Sequence, residues 1–166
     1  MARHIGISGT VTGATPPQLA RLRAEWEWMA LEWDDIVLHH GCAIGVDRQA
    51  HELALELEWV IVCHPPLDQD RAFDPLTVMP SAGRDGPFLD IRQPKPFLDR
   101  NQDIVDESLM LFGLPLHREY PRDFRGKGTW STINRCVKAD KLAVVILNDG
   151  EVCQGNLMRM EKFGVG

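Results

Sequence analysis

The chain of 166 residues has one tyrosine, four cysteines and no two cysteines in CxxC spacing. Cys42, Cys63, Cys136 and Cys153 lie far apart, which argues against a disulfide framework and reads as the reduced thiols of a cytoplasmic protein. There is no surplus of positive charge. With 18 Lys and Arg against 24 Asp and Glu the net charge is -6, so nucleic acid is not the expected partner. No apolar run approaches the length of a membrane span, and "MARHIG" leads directly into a strand-like segment without a secretory apolar region. No internal repeat, no GxxxxGK[ST] and no GxGxxG is present, so a dinucleotide has no support and no cofactor is expected.

What is present is the composition of a globular protein, 44% hydrophobic and 25% charged, at a length that suits a single domain over residues 1–166. Apolar runs without polar alternation ("RHIGISG", "DIVLHH", "WVIVCHP", "LMLFG" and "KLAVVILN") alternate with stretches of helical period. In "PPQLARLRAEWEWMALEW" Leu19, Leu22, Trp26, Met29 and Ala30 recur at three- and four-residue steps, and Pro16 and Pro17 suit the first turn. "VDRQAHELALELE", "FLDRNQDIVDES" and "TWSTINRCVKAD" read as three further helices. This alternation predicts an α/β fold with a five-stranded, mainly parallel sheet covered on both faces, a three-layer arrangement. Two connections are long. Residues 65–96 hold seven of the eleven prolines and read as an insertion loop or lid; residues 115–128 are rich in arginine. The tail after Asn148 shows no clear element.

In an open parallel sheet, ligands bind beyond the carboxyl ends of the strands. "SGTVTGAT", "HHGCAIGVD" and "GLPLHREYPRDFRGKGT" follow strand ends, carry Gly, Ser or Thr, and lead into helices. A helix N-terminus offers unpaired N–H groups and about half a positive charge to an anion. Each loop read singly is an ordinary turn; three on one edge read as a ligand site. Arg71, Arg84, Arg92, Arg118, Arg122 and Arg125 are candidates for lining its mouth. His39, His40, Cys42 and His64 fall at adjacent strand ends, but successive strand residues point to opposite faces, so His39 and His40 do not share an ion and no metal site is expected. His40 reads instead as a contact at the ligand edge. Trp28 and Trp33, off the buried stripe of their helix, suggest a homodimer or higher homo-oligomer.

"HHGCAIGVDRQAHELA" resembles the GGxxGxDxxAxxxA segment of the SLOG superfamily, Rossmann-like proteins that include the DNA-processing protein DprA and the LOG phosphoribohydrolases. "LDRNQDIVDES" is similar to their RNxxIVxxA helix, and "RGKGTWSTINRCVKADKLAVVIL" to their GGTxxTIxxA helix and final strand. The small DUF2493-type proteins of phages and bacteria look nearest. The match runs in order over residues 4–148. The resemblance implies a strand order 3-2-1-4-5 and a nucleotide-like ligand. By position, Ser8, Gly9 and Thr10 match the first loop; Gly41, Gly45 and Asp47 the second; Arg100 and Asn101 the third; and Gly126, Gly128 and Thr129 the phosphate-binding loop. The first glycine of the second motif is replaced by His40. LOG enzymes carry PGGxGTxxE, whose glutamate assists glycosidic cleavage, and Ser131 and Thr132 stand here where acidic side chains are expected. A hydroxyl does not replace that carboxylate. The expected function is therefore binding of a nucleotide or nucleotide-derived molecule, as a sensor or sequestering protein. The alternative is a nucleotide N-glycosidase, with Asp47, Asp99, Asp103 or Glu119 as its carboxylate.

Overall fold

The computed structural model describes residues 1–78 and 88–164. β1 (Arg3–Gly9), β2 (Ile36–His40), β3 (Val60–Cys63), β5 (Met110–Leu114) and β6 (Leu142–Ile146) are the five apolar runs of the sequence. They pair in parallel in the order β3-β2-β1-β5-β6, as expected. Every residue of β2 and β5 is buried, the pattern of a strand covered on both faces.

The sheet has seven strands rather than five. β4 (Leu89–Ile91), from the proline-rich insertion, pairs in parallel with β3; β7 (Val152–Gln154), from the tail, pairs antiparallel with β6. Each is three residues long and none of their residues is buried, so neither carries the apolar period that marks a strand in sequence. The described parts of the insertion are tied down elsewhere too: Phe73 is buried in the core, and Pro66 bridges to Lys95.

α1 (Pro16–Glu32) and α2 (Val46–Glu56) cover one face with a core around Leu22, Trp26, Leu53 and Phe112. α3 (Phe97–Glu107) and α4 (Gly128–Lys138) cover the other through Ile104, Trp130 and Ile133, joined by α5 (Gly155–Phe163) through Met158. Thr15 caps α1 in a reciprocal pair with Gln18, fixing where the first loop ends. No described helix is long and apolar enough to cross a membrane. After β3 and β4 the chain returns to the other side of β1, so strand order reverses between β1 and β5. The loops after those two strands diverge there, leaving a crevice.

Candidate functional site

That crevice is a cavity of about 510 Å³. Ser8, Gly9, Thr10, Gly41, Asp47, Arg100, Asn101, Gly126, Gly128 and Thr129 all line it, ten of the twelve residues predicted. Arg71, Arg125 and Lys127 line it too; Arg125 is paired with Asp123, and Lys127 donates to Asp123 O. Arg92 pairs with Asp90 and Glu107, Arg118 pairs with Asp149 and Glu151, and Arg122 lies over Phe163. Arg84 lies outside the described residues. Trp130 borders the cavity but is 2% exposed, packs on Tyr120, and donates its indole N–H to His117 O, which is the role of a core residue.

The α4 N-terminus is the most anion-ready part of this wall. Its cap position is Lys127, whose side chain accepts nothing, and Thr129 sits inside the first turn rather than at the cap. Among the described residues no acceptor is found for the N–H groups of Gly128, Thr129 and Trp130; the first satisfied one is Ser131, on Lys127 O. α3 likewise begins without a side-chain cap, after Pro96. Asn101 therefore does not cap α3. It is 5% exposed, borders the cavity, and its amide has no hydrogen-bond partner among the described residues. Unlike Arg100 Nε and Ser108 Oγ, which are sealed in the protein, its amide opens on the cavity, where whatever fills the cavity can satisfy it.

Asp47 lies in the first turn of α2, after the Gly45 N-cap. Its Oδ2 accepts the N–H groups of Gly41 (3.0 Å) and Ala43 (3.1 Å), so it holds the second loop in shape. Burial pushes its pKa up; the Arg100 guanidinium and the two N–H bonds act against that. Arg100 is 3% exposed, donates to Gly41 O, and lies 4.5 Å above the Phe97 ring centroid. Burial lowers its pKa and Asp47 opposes the shift, so each is the other's counter-charge.

Two expected residues lie elsewhere. His40 is fully buried and contacts no part of the cavity; its rings of contact are His51 and Phe73, so it is no ligand-edge group. Gly45 is not a pocket wall. It is the N-cap of α2 at φ +87°, and a Cβ there would lie 2.4 Å from Thr10 O and 2.6 Å from Val11 backbone. Its smallness lets the first loop rest on the second. The glycine lost from the second motif is also not at His40. Counted back from Asp47, the motif's glycine pair falls on Gly41 and Cys42, and Cys42 holds a positive φ of 57°.

Along β2 and β3 two histidine groups occupy opposite faces. His39 bonds to His4 (2.8 Å) and His64 (2.9 Å), with Glu107 at 3.7 Å. Burial holds His39 down to about 3 and His64 to about 4, so both stay neutral near pH 7. On the other face His40 bonds to His51 at 2.9 Å beside Cys63. Sequence reasoning missed His51 and Cys63. Their signal was confined to residue type, since one reads as a helix residue and the other as part of an apolar strand.

No protein-family model matches the chain, and no curated protein is significantly similar in sequence. Solved structures do match. A molybdenum cofactor binding protein from the phototrophic bacterium Rippkaea orientalis superposes with a TM-score of 0.64 at 21% identity, over 98% of this chain and 83% of that one. A molybdenum cofactor carrier protein from Chlamydomonas reinhardtii does so at 0.57 and 18%, over 89% and 77%. DNA processing protein A (DprA) from Streptococcus pneumoniae matches at 0.60 and 14% over 87% of this chain, which spans 50% of that protein. Identities this low speak of fold. With its strand order and its crevice, the chain has the Rossmann-like α/β fold of these proteins.

Proposed function

We propose that the protein binds a small phosphate-bearing molecule, a nucleotide or nucleotide-derived metabolite, between β1 and β5, and acts as a sensor or sequestering protein. The phosphate rests on Gly126, Gly128 and Thr129 at the α4 N-terminus. The sugar or base lies toward Ser8, Gly9 and Thr10 and toward Gly41 and Asp47. The observation that carries this reading is the uncapped α4 N-terminus, flanked by Lys127 and Arg125, on the wall of a cavity that also contains the unpartnered Asn101 amide. Helix N–H groups and lysine supply charge-assisted hydrogen bonds to an anion despite the net negative charge of the chain. Two proteins of this fold are by name a binder and a carrier of a molybdenum cofactor, so holding a small molecule is a use to which the fold is put.

The glycosidase reading has less to stand on. Asp47 is the one carboxylate on the described cavity wall, and it is occupied by two backbone N–H groups. Asp103 is held by Lys95, Glu119 lies 3.9 Å from Lys162, and Asp99 is exposed, all away from the cavity. Thr132 returns its hydroxyl to Gly128 O inside the helix.

The test is titration calorimetry of the full chain against nucleoside mono-, di- and triphosphates and molybdenum cofactor, with native mass spectrometry of the protein as purified. One ligand per chain is expected. Lys127→Ala weakens it about tenfold, the worth of one charge-assisted hydrogen bond. Release of free base would overturn sequestration in favour of hydrolysis, and no binding to any member of the panel would overturn the site. The same spectra report subunit number. A homodimer is expected through the outer face of α1, where Trp28 is 57% and Leu31 85% exposed.

A further inference from the structure

The described cavity wall carries one benzenoid ring that the core does not use. Phe97 opens α3, lines the cavity and is 51% exposed, outside both core clusters, whereas Trp130 is turned into the core. A phenyl ring left half in water forgoes much of the gain of burial. Its position is nevertheless fixed. One face lies over the Arg100 guanidinium at 4.5 Å, and Arg100 is itself buried and donates to Gly41 O. The ring edge reaches the first residue of α4, where a Cβ on Gly128 would lie 3.3 Å from Cε1 and 3.4 Å from Cζ. Gly128 thus leaves room for the ring beside the uncapped α4 N-terminus.

This arrangement has the properties of a platform. The guanidinium holds the inner face through a cation–π contact and draws π density toward itself, which lessens the repulsion that an aromatic face offers to a second ring stacked on it. The cavity wall also carries Val11, Ala43, Ile104 and Leu116, an apolar lining that a phosphate or a sugar phosphate alone leaves in water. Its volume of about 510 Å³ falls in the range of about 300–1,000 Å³ that holds drug-sized ligands, well beyond the needs of a phosphate ion. The Asn101 amide, 5% exposed and without a partner among the described residues, opens on the same cavity and offers a donor and an acceptor to the edge of a heterocycle.

We infer that Phe97 is the seat of a planar heteroaromatic ring, and that the ligand is recognised by this ring as well as by its phosphate. The inference rests on the phosphate seat at the α4 N-terminus proposed above. The ring of the ligand stacks on the outer face of Phe97, on the side of the cavity that Arg100 joins to Gly41, and its phosphate lies past the Gly128 edge on the first-turn N–H groups of α4. Phenylalanine suits this task because its two rotatable bonds leave little freedom to lose when a ring settles on it. Phe97 is thereby a specificity residue. Lys127 answers to any phosphate, and Phe97 answers only to ligands that carry a ring.

The test is titration calorimetry of the full chain with the ribonucleoside monophosphates, ribose 5-phosphate and inorganic phosphate. At least one nucleotide is expected to bind about tenfold or more tightly than ribose 5-phosphate. Phe97→Leu is expected to weaken that nucleotide about tenfold, the worth of one base stacked on an aromatic side chain, and to leave ribose 5-phosphate unchanged. Phe97→Trp keeps an aromatic face, so it should retain nucleotide affinity, and the fluorescence of its added indole should be quenched on titration beyond any change in the wild type. The ring seat is overturned by nucleotides that bind no tighter than ribose 5-phosphate, or by Phe97→Leu binding nucleotide like the wild type. It is also overturned by Phe97→Leu weakening nucleotide and ribose 5-phosphate alike, which makes the ring a support for the α4 N-terminus. Each of these results leaves the phosphate seat standing. Failure of every phosphate compound to bind the wild type overturns both.

Discussion

Asn101 and Arg100 are neighbours in the sequence with different fates. From the sequence both look like ligand groups at a helix start. In the structure Arg100 turns inward beneath Phe97 and spends a guanidinium N–H on Gly41 O, while Asn101 retains an unpartnered amide at the cavity. That amide opens on the cavity, so replacing it by an apolar group of similar volume breaks no hydrogen bond within the protein. Asn101→Leu should change stability by less than about 1 kcal/mol, read from urea unfolding, while weakening ligand binding at least tenfold. A strongly destabilised variant would show that the amide has a partner in the protein. Gly41→Ala should act on stability instead. A Cβ there falls 1.3 Å from the Arg100 terminal nitrogen, so the guanidinium must leave a buried site where Asp47 balances its charge. A loss of about 2–4 kcal/mol is expected. Motif matching was thus able to name the wall residues, but residue type does not say whether a side chain faces the ligand or the protein behind it.

The same division holds for elements. The five central strands and four of the five helices were legible, because a buried run and a 3.6-residue stripe are local properties of sequence. β4 and β7 were not. An edge strand of three residues is defined by the backbone it pairs with, and Leu89–Ile91 and Val152–Gln154 carry no pattern of their own. Gly45 shows where a motif glycine serves an element junction instead of a ligand. Gly45→Ala would place a methyl against the backbone of Thr10 and Val11 at a positive φ. It should cost about 2–3 kcal/mol or more and displace the first loop, which a lowered unfolding midpoint measures. If binding were lost in a variant of unchanged stability, Gly45 would be a pocket wall after all.

For the whole molecule, the row of histidines across β1, β2 and β3 makes stability depend on pH. His39 and His64 have folded pKa values of about 3 and 4, against about 6.5 when unfolded. Between those limits the unfolded chain binds protons that the folded one refuses, so stability rises with pH there and is lost as pH falls from 6.5 toward 4. Each histidine contributes a slope of up to about 1.4 kcal/mol per pH unit in its window. Urea midpoints measured from pH 7 to pH 5 should fall steeply; a flat profile would mean that the two rings are solvated. Partition between sequence and tertiary structure follows from range. The sequence by itself determined the layers, the order of elements and the loops at the strand ends, because burial period and chain order are written residue by residue. Only the tertiary structure decided that β4 and β7 extend the sheet, that Arg100 spends its guanidinium on Gly41 O while Asn101 keeps its amide for the crevice, and that His40, Cys42 and Cys63 meet. Those facts depend on which strands lie side by side, and no local stretch of sequence contains its neighbours.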